Sequence, residues 1–276
     1  MGSSRFLRCW IALFCLALFA TIAVAQPQDN KEYVPMERQA GKDVVWLPTA
    51  QALVDKMLDM AKVTPQDYVI DLGSGDGRTV ITAAKRGARA LGIEYNPEMV
   101  TLSKRNAAKE GVSDRAEFIK ADLYETDFSK ATVLTLFLLP EINYKLRPKI
   151  LDMKPGTRVV SNSFDMAEWK PDETYKVDDY KQCQDYCTAY LWIVPAKVDG
   201  AWKLPQGDLV LQQTFQFVSG TVNTGGKPVS IVNGRLNGDQ ISFTAGTARY
   251  TGRVNGSLME GTVEAGGRTT QWKATR

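Results

Sequence analysis

One stretch of the chain, "DYVIDLGSGDGRTVITAAKRG" at positions 67–87, constrains the possible fold more than any other part. Its apolar run reads as a short buried strand, and the residues after the turn read as a helix that stops at Gly87. The turn between them carries Gly73, Gly75 and Gly77 at alternate positions. Glycines at such a turn let backbone N–H groups and a helix N-terminus approach a ligand closely. The stretch therefore predicts the first βα unit of a ligand-binding α/β sheet.

The charges of this turn argue against a nucleotide that carries phosphates. Arg78 stands where the usual dinucleotide fingerprint G-x-G-x-x-G has its third glycine, which disfavours NAD. Asp71 and Asp76 would repel a pyrophosphate, whereas they would attract a cationic amino acid group. This chemistry fits S-adenosylmethionine as the cofactor. For Asp76 two interpretations stay open, a cofactor contact and a simple helix cap.

Two further carboxylates follow the next two predicted strands. Glu94 ends the second strand, 23 positions after Asp71, where it can accept hydrogen bonds from both hydroxyls of a ribose. Charge-assisted bonds of this kind contribute about 1.5 to 3 kcal/mol each. Asp122 ends the third strand, where it can accept a hydrogen bond from the exocyclic amine of adenine. Because the carboxyl ends of parallel strands meet at one edge of a sheet, we expect the three carboxylates at one site.

Strand and helix signals alternate from Trp46 to about position 197. This alternation predicts a Rossmann-like, doubly wound α/β sheet that is mainly parallel and that closes with an antiparallel pair. The apolar spacing after Thr49 predicts a first helix with that threonine as its N-cap. Trp46 and Trp169 are predicted to be core aromatics, since aromatic side chains dominate protein cores, with lids over the cofactor as the alternative. We therefore assign a first domain to residues 46–198.

The composition changes abruptly after this domain. Residues 200–276 hold 13 of the 22 glycines, placed as turn signals between short alternating strands. The pattern predicts a small antiparallel all-β domain at 199–276, either a barrel or a curled sheet. Its core is predicted to contain the aromatic side chains Phe215, Phe217, Phe243, Tyr250 and Trp272.

Three motifs, "DLGSGDGR", "GIEYNPEMV" and "KADL", resemble the cofactor-binding motifs of class I S-adenosylmethionine-dependent methyltransferases. Within that superfamily, "WLPTAQALVDKMLDMAKV", "FLLPEINYKLRPKI" and "FDMAEWKPD" resemble a bacterial branch related to mitochondrial protein-lysine methyltransferases. The resemblance covers about residues 46–198 and implies a methyltransferase of class 2.1.1. It implies that the cofactor's methionine part is lined by Asp71, Gly73, Gly75 and Gly77, its ribose by Glu94 and its adenine by Asp122.

The segment after the fourth strand departs from one substrate class of this superfamily. Relatives that methylate nucleobase or glutamine amines carry Asn/Asp-Pro-Pro-aromatic there, whereas this chain has Leu138-Leu139-Pro140-Glu141. We expect Leu139 and Pro140 to form a lip facing the acceptor, with Glu141 and Asn143 as the candidate catalytic contacts and Glu141 as a proton acceptor. The alternatives are that Pro140 only starts a helix and that Glu141 is only a first-turn carboxylate favoured by the helix dipole.

The N-terminus has the order of a secretory signal peptide. Arg5 and Arg8 precede an uncharged run at 9–25 that ends in Ala-Val-Ala. We expect cleavage after residue 25, a polar arm at 26–45 and export, to the periplasm in a bacterium. An uncleaved membrane anchor is the alternative. In an oxidising compartment Cys183 and Cys187 can form a short disulfide, and otherwise they are a free pair.

Charge and composition exclude several function classes. The chain has 34 basic and 31 acidic residues, and removal of the segment with its two arginines leaves 32 against 31, or +1. Binding of nucleic acid through bulk charge is therefore not expected. With no histidine in the chain, every histidine-based general base, triad or zinc site is excluded, and no metal is expected.

The sequence thus predicts an S-adenosylmethionine-dependent methyltransferase whose acceptor is a protein lysine or, as an alternative, a small molecule. Contact with a membrane is expected only through the N-terminal segment. A different class remains open, an exported protein that binds S-adenosylmethionine without transferring its methyl group.

Overall fold

The computed structural model describes residues 32–276. The predicted signal peptide at 1–25 and the first part of the predicted arm lie outside the described residues. Within the described part of the chain, none of the helices has the length and apolarity that a membrane crossing requires.

A seven-stranded sheet forms the larger part of the structure, with strand order β3-β2-β1-β4-β5-β7-β6. The first five strands in this order are parallel, and β7 pairs with its neighbours in the antiparallel sense. The strands are β1 (Tyr68–Leu72), β2 (Arg89–Glu94), β3 (Ala116–Lys120), β4 (Val133–Leu136), β5 (Arg158–Asn162), β6 (Glu173–Lys176) and β7 (Thr188–Ile193). The prediction of a mainly parallel, Rossmann-like sheet that ends in an antiparallel pair is confirmed.

Helices cover both faces of this sheet because its central strands β1, β4 and β5 are buried on both sides. The helices are α1 (Gln51–Met60), α2 (Arg78–Lys85), α3 (Pro97–Lys109) and α4 (Pro140–Leu151). The first three bury their apolar side chains in one core cluster, and α4 buries its own in a second cluster. The predicted cap of α1 is wrong. Ala50 occupies the N-cap position, and the Thr49 hydroxyl instead accepts a hydrogen bond from Asn162 Nδ2 at 3.2 Å.

The last eight strands form a closed antiparallel barrel with the order β10-β11-β12-β13-β14-β15-β8-β9. They are β8 (Gly200–Leu204), β9 (Gly207–Thr214), β10 (Phe217–Asn223), β11 (Val229–Asn237), β12 (Gln240–Ala245), β13 (Ala248–Asn255), β14 (Leu258–Ala265) and β15 (Arg268–Thr275). The all-β domain is thus confirmed, in its barrel form. Phe243 and Trp272 are buried in the barrel core with Tyr250 against them, as predicted. Ala196 and Val198 already belong to this core.

Two aromatic residues of the barrel do not lie in its core. Phe217 is 45% exposed, because it stands on the outer side of β10. Phe215, at the turn between β9 and β10, packs instead on the second core cluster of the sheet domain. There its ring stacks on that of Trp169, with centroids 6.1 Å apart and planes 14° apart. Gln216 beside it is fully buried and donates to the Lys170 carbonyl at 2.8 Å. The β9–β10 turn therefore anchors the barrel in the sheet domain.

Candidate functional site

The glycine turn connects β1 to α2 in the manner predicted from the sequence. Gly73, Gly75 and Gly77 have φ values of 78°, 54° and 84°, in the left-handed region that favours glycine. A Cβ at Gly75 would lie 2.5 Å from Trp46 Nε1, and one at Gly77 would lie 2.8 Å from the Phe118 ring. A cavity lies at the carboxyl end of β1, and its lining includes Asp71, Gly73, Glu94 and Asp122. Gly75 and Gly77 instead pack against other parts of the chain. Gly75 and Gly77 shape the turn, and their implied contact with the cofactor stays a prediction.

Asp71 is the last charged residue of β1, and its side chain faces the cavity. Its carboxylate is 6% exposed, and its Oδ1 accepts a hydrogen bond from the Thr135 hydroxyl at 2.6 Å. The pKa of Asp71 is raised to about 7, mainly by burial and further by the charges of Glu94 and Asp76, against the effect of the Thr135 hydrogen bond. Three carboxylates in one cavity make a site whose electrostatics favour a cation.

Glu94, at the end of β2, is fixed by two backbone donors. Its Oε2 accepts from the Gly75 N–H at 3.0 Å, and its Oε1 accepts from the Asn96 N–H at 2.9 Å. The carboxylate also lines the cavity. Since each carboxylate oxygen has a second lone pair, Glu94 can still accept hydrogen bonds from a pair of ligand hydroxyls.

Asp122 lines the same cavity, but a lysine of the N-terminal segment already contacts it. Its Oδ1 accepts from the Tyr124 N–H at 2.9 Å, and its Oδ2 accepts from Lys42 Nζ at 2.7 Å. The Lys42 hydrogen bond is the main reason why the pKa of Asp122 lies below its ordinary value. The Lys42 ammonium also lies 5.2 Å from the Tyr95 ring centroid and 5.5 Å from that of Tyr124. No sequence pattern connected Lys42 to this site.

Asp76 lines the cavity, where its contact with the cofactor stays a prediction. The N-cap position of α2 belongs to Gly77 rather than to Asp76, although Asp76 Oδ1 accepts a hydrogen bond from the Arg78 N–H at 3.2 Å at the start of that helix. Asp76 also forms an ion pair with the Arg78 guanidinium, with Nη2 2.6 Å from Oδ2. Arg78 in turn donates to the Thr49 carbonyl at 2.8 Å. The arginine that replaces the third glycine therefore connects the turn to the segment before α1.

That segment, residues 39–49, runs along one side of the cavity and lines it throughout. Backbone hydrogen bonds join Trp46 to Arg38 and Gln39 at 2.8 and 2.9 Å. The Trp46 ring lies half-buried against the glycine turn, so that its predicted place in the core is wrong. Trp169 is fully buried, as predicted.

Of the residues that were predicted to contact the methyl acceptor, some line the cavity and others lie away from it. Leu139 is 38% exposed and lines the cavity, and Pro140 is the first residue of α4. Glu141 is an exposed first-turn residue of α4 outside the cavity lining. Asn143 is fully buried and donates to the carbonyls of Phe164 and Asp165, both at 3.2 Å. Its role as a catalytic contact is therefore wrong in this structure, since one turn into α4 its side chain faces the sheet.

Three aromatic side chains complete the cavity on this side, Phe137, Phe164 and Tyr186. Sequence analysis missed them, although the first two lie in the segments predicted as strands four and five. Tyr186 lies between Cys183 and Cys187, which the structure joins by a disulfide. Among residues 32–276 no group of three or more Cys, Asp or Glu side chains is arranged to hold a metal ion.

Comparison with known proteins identifies relatives of this chain. The family profile described as "ANTKMT methyltransferase domain" matches residues 71–173. A protein-lysine N-methyltransferase of Saccharolobus islandicus is 44% identical over 154 residues, which cover 55% of this chain and 94% of the relative. An adenine nucleotide translocase lysine N-methyltransferase of Mus musculus is 31% identical over 140 residues, which cover 50% of this chain and 59% of the relative. This chain thus spans less than two thirds of the length of the mouse protein.

A solved structure resembles the same part of the molecule. The crystal structure of an RNA methyltransferase from Salinibacter ruber in complex with S-adenosyl-L-homocysteine has a TM-score of 0.51 and 45% identity. The similarity covers 55% of this chain and 96% of that structure.

Proposed function

The chain belongs to the class I S-adenosylmethionine-dependent methyltransferases, and from this premise we propose that it methylates the ε-amine of lysine in a protein. Two relatives above are named as lysine N-methyltransferases, and they support this acceptor. The Salinibacter protein is named as an RNA methyltransferase, which makes RNA the competing acceptor.

The cavity has the features that the cofactor requires. Its carboxylates suit a cationic ligand, and Asp71 in particular has a pKa raised by burial, which a bound cation would lower. We assign the amino acid part to Asp71 and Gly73, the ribose to Glu94 and the adenine to Asp122. When bound, S-adenosylmethionine supplies an electrophilic methyl group on its sulfonium.

Negative charge near the start of α4 favours lysine over RNA as the acceptor. The hydroxyl of Tyr144, on α4, donates to Asp165 Oδ1 at 3.0 Å. That hydrogen bond and the nearby charges of Asp165, Glu141 and Glu168 raise the pKa of Tyr144. Glu168 is paired with Arg147 at 2.7 Å, so Glu141 and Asp165 are the carboxylates that would attract a lysine side chain and repel RNA phosphates.

The chain's own residues then prepare the acceptor amine. The buried side chains of Leu138 and Ile142 make the wall of the cavity apolar, which favours a neutral amine over an ammonium ion. We propose that Glu141 accepts the proton through water, because it is exposed on the first turn of α4. Alignment of the two reactants in a closed site can supply about 7 to 11 kcal/mol of the rate acceleration.

The acceptor can be tested with methyl-labelled S-adenosylmethionine and an extract of total cell envelope. We expect label in a protein band, and in methyl-lysine after acid hydrolysis. Parallel samples treated with ribonuclease or protease separate the two acceptors. Label that is lost with ribonuclease would contradict the lysine proposal. Cofactor binding without label in any fraction would favour the binding protein without transfer activity.

Glu94 provides the matched loss-of-binding variant for this assay. We expect Glu94→Ala to weaken binding of S-adenosylhomocysteine more than tenfold, about 1.4 kcal/mol, because the ribose acceptor is lost. Glu94→Gln keeps the shape and one backbone acceptor but removes the charge, and it should show a smaller loss. Isothermal titration calorimetry measures both. An unchanged dissociation constant for Glu94→Ala would show that the ribose lies elsewhere.

We also propose that the protein is exported. The signal-like order of residues 1–25 supports this, and so does the disulfide between Cys183 and Cys187, which persists in oxidising compartments. Intact-mass measurement of the protein from the periplasmic fraction should show an N-terminus near Gln26. A soluble cytosolic protein that retains residues 1–25 would contradict export, and the same retained residues in the membrane fraction would favour the anchored form.

A further inference from the structure

Phe137, Phe164 and Tyr186 form a cluster of rings on the acceptor side of the cavity. Their centroids are 5.5 to 6.1 Å apart, and the rings of Phe137 and Phe164 stack at 20° while Tyr186 is tilted to both. They come from three neighbouring positions at one edge of the sheet, the ends of β4 and β5 and the residue two before β7.

This ring cluster differs from an ordinary core contact in its exposure. None of the three side chains is buried, and Tyr186 is 41% exposed. The aromatic side chains of the cores below it, such as Phe118 and Trp192, are at most 1% exposed. Partly exposed rings that line a cavity can contact a ligand, and the negative quadrupole of a ring face favours a cation.

The surroundings of the cluster fit a cation as well. Asp165 follows Phe164 in the chain, and Asp185 precedes Tyr186, and both are exposed. The carboxylates bring a positively charged side chain to the mouth, and the rings contact its methylene and methyl groups.

The position of Tyr186 depends on a short covalent loop. The disulfide closes a ring of five residues, Cys183 to Cys187, and Tyr186 within it has a φ of 57°. A tyrosine in the left-handed region is uncommon and needs support from its surroundings. Hydrogen bonds also hold the segment between β6 and β7: the Val177 N–H donates to the Cys187 carbonyl at 2.9 Å, and Asp179 accepts from the backbone N–H groups of residues 181–183. The disulfide adds a covalent constraint on the residues that flank the Tyr186 ring.

We propose that Phe137, Phe164 and Tyr186 form an aromatic cage for the alkylammonium group of the acceptor lysine, with the Cys183–Cys187 disulfide positioning Tyr186. The proposal rests on the proposed methylation of lysine. The cage gathers the amine before it loses its proton to the solvent side, and it holds the methylated ammonium afterwards. Phe137, Phe164 and Tyr186 are thus specificity residues, and the two cysteines are positioning residues.

The test measures binding without turnover, so that its result is independent of which acceptor the labelling assay finds. The full protein, saturated with S-adenosylhomocysteine, is titrated by NMR with Nα-acetyl-Nε-trimethyllysine methylamide. A second probe has the same shape with a carbon in place of the charged nitrogen. Because ring faces attract the cation specifically, we expect the charged probe to bind about fivefold more tightly than the neutral one. Equal binding of the two probes would overturn the cage.

Four variants assign the effect to the cage. Tyr186→Leu should abolish the preference for the charged probe, and Tyr186→Phe should retain it, because the ring face remains. Tyr180→Leu is the matched control, since Tyr180 lies in the same connection and is 71% exposed. The double variant Cys183→Ser with Cys187→Ser should lose the preference as Tyr186→Leu does, while its affinity for S-adenosylhomocysteine stays unchanged.

The outcomes separate this inference from the proposed function. A preference that survives in Tyr186→Leu overturns the cage, whatever the labelling assay gives. A preference that survives in the double cysteine variant overturns the role of the disulfide. Label in RNA, together with an intact preference for the charged probe, would refute lysine as the acceptor but not the cation site.

Discussion

At the scale of single residues, Asp71 is the side chain whose chemistry depends most on the ligand. In the free protein its carboxyl is buried beside two other carboxylates, and its pKa is raised to about 7. A cation in the cavity reverses the balance and favours the ionised form. Affinity for the cofactor is thus gained at a position that weakens the free protein at neutral pH.

Because Asp71 increases the affinity for the cofactor but lowers the stability of the free protein, Asp71→Asn should have opposite effects on folding and on binding. An acid whose pKa is raised in the folded state binds more protons there than in the unfolded state, so stability falls as pH rises from about 4 to 7. The asparagine does not titrate, and its Oδ1 can still accept from Thr135. We expect the variant without cofactor to gain stability over the wild type, and the gain to grow by about 1 to 3 kcal/mol between pH 5 and pH 8.

Urea unfolding at the two pH values measures this gain, and calorimetry with S-adenosylhomocysteine and S-adenosylmethionine measures binding. Both affinities should fall in the variant. A gain that is equal at pH 5 and pH 8 would show that the Asp71 carboxyl does not titrate in this window.

At the scale of elements, the β1–α2 turn combines two separate demands on glycine. Gly77 has a left-handed backbone, and a Cβ there would lie 2.8 Å from the Phe118 ring and 2.9 Å from Ser103 Cβ. Gly111, after α3, also has a left-handed backbone with φ 67°, but a Cβ there would meet nothing within 4 Å. The two positions therefore separate conformational strain from steric overlap.

We expect Gly111→Ala to reduce the free energy of unfolding by about 1 to 2 kcal/mol, the cost of a left-handed alanine. Gly77→Ala should cost about 1 to 3 kcal/mol more, because α2, α3 and β3 must also move apart. Urea denaturation of the two variants gives the difference. Equal losses would mean that the turn can relax away from Phe118.

The sequence predicted those parts of the site that depend on local pattern. Asp71, Glu94 and Asp122 each lie within two residues of the end of a strand, and parallel pairing brings such ends together. The same reasoning found the glycine turn and the barrel, because both carry strong turn signals.

Contacts that depend on packing between distant segments were out of reach. The bond between Lys42 and Asp122 joins residues 80 positions apart, and the segment around Lys42 has no periodicity. For Asn143, the pattern placed the start of α4 correctly at Pro140 but did not show which side of the first turns faces the sheet. Phe215 sits in a strand-like pattern, yet it packs on Trp169 of the other domain.

At the scale of the whole molecule, the β9–β10 turn makes the two domains one folding unit. Residues 34–276 form a single compact unit, and Phe215 belongs to the sheet domain's core cluster. The Arg235 guanidinium adds an ion pair with Asp172, at 2.7 Å. Because the turn fills a place in the neighbouring core, we expect wild-type protein to unfold in one calorimetric transition.

Phe215→Ala should lower the free energy of unfolding by about 2 to 4 kcal/mol and split the calorimetric trace into two transitions. Phe217→Ala, two positions further on and on the barrel surface, is the control and should change stability by less than about 1 kcal/mol. Differential scanning calorimetry compares the two variants. A single transition in Phe215→Ala would place the coupling of the domains elsewhere.

The burial of Asp71 also affects how the whole protein binds and releases protons near neutral pH. The chain contains no histidine, so the side chain that ordinarily titrates near neutrality is missing. A buried aspartate takes over that part of the titration curve. Binding of a cationic ligand at neutral pH should therefore release a fraction of a proton into the buffer. The heat of that proton release would itself report that the ligand has bound in the cavity.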